Sequence, residues 1–263
     1  MIDKIYVKES FTKAAECYEE YAIFQKELAD TLVARIPAGK LRGTILDIGG
    51  GTGYMSAKIS EKNPSLHLCS ADISHGMSIV AQSKRVVCPN LTVLTADGET
   101  LPFKDSSFDM VISNLAFQWI SDLNKALAEI FRIIKKKSPF LITILADGSL
   151  PELRESYNHS FGNKGERVMM DIYPTEEAIT SILKNNPIAS YKIGKVRYVR
   201  YHKNALGFLK TLKSIGAKNP FPTNKRGVNP GATKKMLDYY DQNFATDKGV
   251  TATYQILFIE GIR

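Results

Sequence analysis

The spacing of hydrophobic residues changes character along this chain. Between residues 8 and 36, Phe11, Ala14, Ala15, Tyr18, Ala22, Phe24, Leu28 and Leu32 recur at roughly helical intervals, which predicts one or two helices. From 45 to 147, short apolar runs alternate with helical patterns. Strands are predicted near 44–48, 67–71, 91–95, 108–114 and 140–145, with helices at 55–62, 77–84 and 122–136. Such alternation builds a mostly parallel α/β sheet with helices on both faces, and ligands meet the carboxyl ends of its strands. Beyond 148 the rhythm changes. Residues 151–185 and 203–215 read as helical, 192–201 as a basic, β-branched strand and 219–231 as a Pro/Gly/Asn-rich loop. The alternating stretch 251–259 reads as a last strand of the sheet. The expected division is a helical lid (1–40), an α/β core (41–147), an inserted α/β cap over the strand ends (148–240) and a C-terminal completion of the sheet (241–263).

Residues 45–53 read Ile-Leu-Asp-Ile-Gly-Gly-Gly-Thr-Gly. Ile45, Leu46 and Ile48, interrupted only by Asp47, suit a strand buried on both faces. The glycines and the helix start that follow bring backbone N–H groups close to an anionic or polar ligand. A dinucleotide fingerprint needs glycines at 49, 51 and 54, or at 51, 53 and 56, but Tyr54 and Ser56 occupy the third positions. The run Asp47, Gly49, Gly51, Gly53 resembles instead the first motif of class I S-adenosylmethionine (SAM) methyltransferases. The resemblance implies their Rossmann-like sheet, mostly parallel with one antiparallel strand, and SAM as cofactor.

Further segments fall where a SAM site needs them. Asp72, followed by Ile73 and Met77, closes the second strand about 20 residues past the glycine turn, where a carboxylate can accept both ribose hydroxyls. Asp97 and Gly98 follow the third strand, the one able to accept from the adenine amino group and the other to donate to the ring. The fourth strand ends at Asn114 and Leu115, beside the expected methionine end of the cofactor, with Gln118 and Trp119 next toward substrate. Adenine N-methyltransferases carry Asn/Asp-Pro-Pro-aromatic here. The residues Asn114, Leu115, Ala116 and Phe117 therefore disfavour nucleic acid as substrate.

Composition narrows the classes. The chain has 263 residues, 44% of them apolar, enough for one large domain or a domain with an insertion. No run of 18 apolar residues suggests a membrane span, and the N-terminus has no secretory pattern. Cys17, Cys69 and Cys88 are an odd number without Cys-x-x-Cys spacing, so neither a disulfide framework nor a metal site is expected. A soluble, cytoplasmic protein is the expectation. Net charge is +8, and residues 178–237 hold 13 Lys and Arg with no acid, which points to an anionic partner.

A narrower resemblance covers nearly the whole chain. Residues 11–18 (Phe-Thr-Lys-Ala-Ala-Glu-Cys-Tyr) with Ala22 and Gln25 resemble the N-terminal lid of the malonyl-acyl carrier protein O-methyltransferases of biotin synthesis. So do Ser113 to Ala116 with Gln118 and Trp119, the run Gly148 to Leu153, the segment Leu212, Lys213, Ile215, Gly216, Ala217, and Thr253 with Tyr254. Two departures stand out. Gly50 replaces the usual Cys or Ala, a change expected to cost little in a tight turn, and residues 158–171 match poorly.

The resemblance implies methyl transfer from SAM to the free carboxylate of a malonyl thioester on acyl carrier protein. That carboxylate is ionised near pH 7, so direct displacement needs no general base. Tyr18 is expected to face the carboxylate or the sulfonium, Gln25 the methionine end of SAM, and Asp147, at the end of the fifth strand, to orient Tyr18 or a water. Lys192, Lys195, Arg197, Arg200, Lys210 and Lys213 are expected to attract the acidic carrier. A small-molecule methyltransferase acting on a quinone or phenol remains the alternative and would need a base. A non-catalytic assembly factor has no need of the intact glycine loop, Asp72 and Asp97. An RNA methyltransferase finds support only in the charge and in Tyr198 and Tyr201 among Arg197 and Arg200.

Overall fold

The computed structural model describes residues 2–162, 167–221 and 229–263. Its N-terminal helices are α1 (Lys4–Ala14), α2 (Tyr18–Tyr21) and α3 (Ile23–Ala34). The sheet then begins with β1 (Thr44–Ile48), α4 (Tyr54–Lys62), β2 (His67–Asp72), α5 (His75–Ser83), β3 (Leu91–Thr95), β4 (Met110–Asn114), α6 (Leu123–Ile133) and β5 (Pro139–Leu145). There follow α7 (Pro151–Phe161), α8 (Glu176–Lys184), β6 (Ser190–His202), α9 (Ala205–Ser214), α10 (Pro230–Asn243), β7 (Ala245–Thr246) and β8 (Gly249–Ile262). Of the loop expected at 219–231, residues 222–228 lie outside the described residues.

The strand order is β3-β2-β1-β4-β5-β8-β6, with β7 paired to β8. β1 to β5 run parallel, and β8 runs antiparallel to both β5 and β6. Period-two alternation divides β1 between two cores: Ile45 packs toward α3 and α4, Leu46 and Ile48 toward α6. The order reverses between β1 and β4, which places a crevice at their carboxyl ends.

Local signals explain the element boundaries. Side chains of Asp3, Ser74 and Asp122 accept from the first-turn N–H groups of α1, α5 and α6. In the helical stretch expected at 151–185, the described residues form α7, a short 3₁₀ turn (Met169–Ile172) and α8, with Pro174 before the second helix; residues 163–166 lie outside the described residues. Within the segment expected as an insertion, β6 joins the main sheet, pairing with β8 from Ser190 opposite Ile262 to His202 opposite Val250. Among the described residues, no helix is long and apolar enough to cross a membrane.

Candidate active site

Backbone bonds fix the glycine loop against the second strand. Gly49 N and Gly50 N donate to Ala71 O at 2.7 and 3.3 Å, and Gly51 N donates to Asp72 Oδ2 at 3.0 Å. Ser74 N donates to Asp72 Oδ1 at 2.8 Å. Beneath the loop, Asp47 Oδ2 accepts from Ser56 Oγ at 3.0 Å, while Asp47 Oδ1 is buried without a partner. Burial pushes the Asp47 carboxyl up to about 7, opposed by the Ser56 bond and reinforced by nearby Asp72. Burial also pushes Asp72 up to about 6, against the two N–H groups it accepts from. A β-carbon at Gly50 would fall 2.1 Å from Ser70 Oγ, a hydroxyl that can turn aside, and 3.2 Å from the Asp47 carboxyl.

Above the loop opens a cleft of about 770 Å³, open solvent at its mouth included. Gly49, Gly51, Asp72, Ile73 and Met77 line one side of it. Asp97, Gly98, Asn114, Leu115 and Tyr18 line the rest, with Phe11 and Trp119 in edge-to-face contact at 5.5 Å. Asp47 and Gln25 line an adjoining hollow behind the loop. Asn114 Nδ2 donates to Gln25 O at 2.9 Å, tying the lid to β4. Gly53 lines neither space and stands at the N-cap of α4.

Sequence reasoning missed Lys4. Its ammonium reaches from α1 to Asp97 Oδ2 at 2.6 Å and Glu99 Oε2 at 2.8 Å. α1 therefore covers the cleft, further held by Thr12 Oγ1 at 2.9 Å from Ser74 Oγ. Gly216, at positive φ, lets the end of α9 approach α1 closely: a β-carbon there would lie 3.1 Å from Phe11 Cα.

A second cavity, of about 500 Å³, adjoins the cleft and shares Phe11, Tyr18, Leu115 and Trp119 with it. Its remaining wall includes Gln118, Phe24, Met169, Tyr173 and Tyr254. Among the described residues, none that lines it is Lys, Arg, His, Asp or Glu. Tyr18, Tyr173 and Tyr254 are phenols whose hydroxyls make no hydrogen bond to the described residues. Burial pushes all three above the usual phenol range, so each is a neutral donor near pH 7. Gln118 Nε2 donates to Leu115 O at 2.6 Å, and its buried Oε1 has no partner. Tyr173 follows the poorly matching stretch, which hid it. Tyr254 was within reach of sequence reasoning, because it sits in a matching segment. That segment is held in place from the turn at 148–153: Glu152 accepts from Thr253 N and Oγ1 at 3.1 and 2.6 Å, and Leu150 N donates to Thr253 O at 2.6 Å.

Asp147 is not brought to this site. The chain turns at Gly148 (φ +83°), leaving Asp147 exposed, with its N–H donating to Pro174 O at 3.0 Å. The basic residues also separate. Pleating puts Arg200 on the same face of β6 as Tyr198, toward α3, and Arg197 on the opposite face. Lys192 lies eight residues from Arg200 along the strand, roughly 26 Å away. Lys210 and Lys213 are exposed on α9.

The cleft suits SAM on its own geometry. The backbone at Gly51 faces open space, with no atom within 4 Å of where a β-carbon would stand. The fixed carboxylate of Asp72 and the orphaned Asp47 Oδ1 favour a ligand bearing donors and positive charge.

Comparison with known proteins agrees. The methyltransferase domain family matches residues 46–142. The malonyl-acyl carrier protein O-methyltransferase of Geobacter sulfurreducens is 30% identical over 267 residues, covering 100% of each chain. That of Gallionella capsiferriformans is 30% identical over 267 residues, covering 98% of this chain and 90% of its own. The solved YcgJ protein of Bacillus subtilis superposes with a TM-score of 0.61 over 91% of this chain and 97% of its own, a likeness of fold at 20% identity. The chain belongs to the malonyl-acyl carrier protein O-methyltransferase family, whose members are SAM-dependent methyltransferase enzymes.

Proposed function

We propose that this enzyme methylates the free carboxylate of a malonyl group carried as a thioester on acyl carrier protein, giving the methyl ester. One observation supports this beyond the family: three phenols without a hydrogen bond to the described residues border a cavity, next to the cofactor cleft, whose described lining holds neither cation nor base. When bound, SAM supplies a sulfonium methyl open to direct displacement by an acceptor oxygen, and its sulfur keeps the electron pair of the broken bond.

On this reading the chain's residues do the rest. Asp72 and Asp97 hold the ribose and adenine ends of the cofactor, with Ile73, Met77, Gly98 and Leu115 around them. Gly49, Gly51, Asp47, Gln25 and Asn114 surround the methionine end, and Gly53 starts the helix that supports the loop. Tyr18, Tyr173 and Tyr254 donate hydrogen bonds to the acceptor carboxylate. Pairing that carboxylate with Arg would stabilise its ground state more than a transition state in which the charge disperses, so neutral donors are better suited. Trp119, Phe11 and Phe24 exclude water, and Gln118 borders the acceptor. Phenols with raised pKa values are poor bases at neutral pH, which disfavours a quinone or phenol acceptor needing deprotonation. Residues 1–40 serve as the lid, 41–147 as the cofactor core, 148–240 as the substrate and carrier region that also lends β6 to the sheet, and 241–263 complete the sheet.

The test is transfer of labelled methyl to malonyl-carrier, acetyl-carrier and a panel of phenols. Label on malonyl-carrier alone, released by base as labelled methanol, is expected. Label on a phenol and none on malonyl-carrier overturns the proposal.

A further inference from the structure

The cavity bordered by the three phenols shares five wall residues with a neighbouring space. Phe24, Gln25, Leu212, Ile215 and Tyr254 line the cavity and also line a groove of about 780 Å³, open solvent included, on the outer surface. The groove runs between α2 and α3 on one side and the end of β6 and α9 on the other. Its wall carries two buried polar atoms with no partner, Arg200 Nε and His202 Nε2. The rest of the Arg200 guanidinium is engaged: it is ion-paired to Glu27 and lies 4.7 Å from the Phe24 ring centroid and 5.6 Å from that of Tyr198. Burial lowers the His202 pKa, so its ring is neutral and can donate or accept one hydrogen bond at each nitrogen.

The elements that frame this groove also carry exposed apolar and basic residues. Ile23, Tyr201 and Leu206 are 60%, 46% and 47% exposed. Ile23 and Tyr201 both line the groove, and large apolar side chains gathered on a surface mark an interaction site more often than those scattered singly. On α9, Ala205, Phe208 and Leu212 point inward, while Leu206, Lys210 and Lys213 recur at the i, i+4, i+7 spacing of one outward face. Lys203 is exposed just before this helix, and the Lys248 ammonium lies 5.5 Å from the Tyr201 ring centroid. Of the two acids bordering the groove, Glu20 and Glu27, the second is already neutralised by Arg200.

We infer that this groove is the port through which the pantetheine arm of an acidic carrier reaches the cavity. Arg200 and His202 bond the arm, and the outward face of α9 receives the carrier. The inference rests on the proposed function and adds the route and the docking face. A pantetheine arm alternates amide groups with methylene runs. Its carbonyls supply acceptors for Arg200 Nε and the His202 ring, and its methylenes suit Phe24, Leu212, Ile215 and Tyr254. The carrier's negative charge meets Lys203, Lys210 and Lys213 within the acid-free stretch of the sequence. Lys192 and Arg197 have no part in it, because β6 presents them elsewhere.

The test compares two acceptors at saturating SAM, malonyl-carrier and malonyl-pantetheine. In the Leu206→Glu/Lys210→Glu variant, the ratio of kcat/KM for carrier to that for pantetheine is expected to fall tenfold or more, through KM. Arg200→Ala is expected to raise KM about tenfold for both acceptors. Arg200→Ala also removes the ion pair to Glu27 on α3, so Tyr201→Glu, at the rim, is read alongside it and should lower the ratio as the α9 variant does. Wild-type enzyme that methylates both acceptors, with every variant keeping the wild-type ratio and KM values, overturns the port alone. Wild-type enzyme that methylates neither overturns the functional reading, and the port with it.

Discussion

Replacing Gly49 by Ala tests how the cofactor loop is built. Gly49 has φ +68°, and a β-carbon there would stand 2.1 Å from Ala116 Cβ, well inside the roughly 3.5–4 Å that two carbons prefer. The partner atom is a β-carbon with no rotamer to yield, in the turn after Leu115, itself at φ +50°. The left-handed backbone costs about 1–2 kcal/mol for a residue with a β-carbon, and overpacking adds about 1–3 kcal/mol. The sum, about 2–5 kcal/mol, lowers Tm by roughly 4–20 °C for a chain of this size. Gly51→Ala is the control: φ is +56°, yet no atom lies within 4 Å of its β-carbon. Strain alone, about 1–2 kcal/mol, should then act on stability, while the new methyl enters the cleft and weakens SAM binding. Calorimetric melting of both variants, and of Gly49→Ala with Ala116→Gly, completes the assay. The second substitution should return about 1–3 kcal/mol by removing the overlap. Equal melting temperatures for the two single variants, or no recovery in the double variant, would refute the packing argument.

Three other outcomes follow from the same geometry. Because burial raises Asp47 to about 7 and Asp72 to about 6, the empty protein favours their neutral forms: that stability is complete below about pH 4 and lost as pH rises through 6 to 7. A positively charged cofactor favours the ionised forms instead, so SAM affinity should tighten from pH 5 to about 7.5 and then level, as titration calorimetry would show; a flat profile contradicts this. Gly50→Ala should lower the melting temperature far less than Gly49→Ala does, because Gly50 meets the Ser70 hydroxyl, which can turn to another rotamer, where Gly49 meets a fixed β-carbon; equal losses in the two variants contradict this. Tyr254→Phe should lower kcat/KM for malonyl-carrier about 10- to 150-fold, since a hydrogen bond to a charged group contributes about 1.5–3 kcal/mol, with SAM affinity unchanged.

Much of the fold is legible in the sequence because its signals are local. The apolar run before Gly49, the glycine spacing and Asp72 at a strand end depend on period and short-range geometry, which neighbouring residues carry. The lid was legible as helices, but the reach of Lys4 across the cleft to Asp97 depends on how α1 packs. Pleating, not charge, decides that Arg200 and Arg197 face opposite ways, and a one-residue uncertainty in register would exchange them. Asp147 looked well placed at a strand end, but the turn at Gly148 carries its side chain to solvent. Tyr173 reaches the cavity only through the packing of residues remote in sequence, so no local pattern announces it.

The most direct test of the central claim is where the methyl group ends. Enzyme, malonyl-carrier and SAM labelled with carbon-13 in the methyl group are incubated, and the carrier is examined by carbon NMR and intact mass. The account predicts one labelled methyl per malonyl group, in an oxygen-linked ester that base hydrolyses to labelled methanol. A labelled methyl on carbon or nitrogen, or an unmodified carrier with SAM bound to the enzyme, would contradict it.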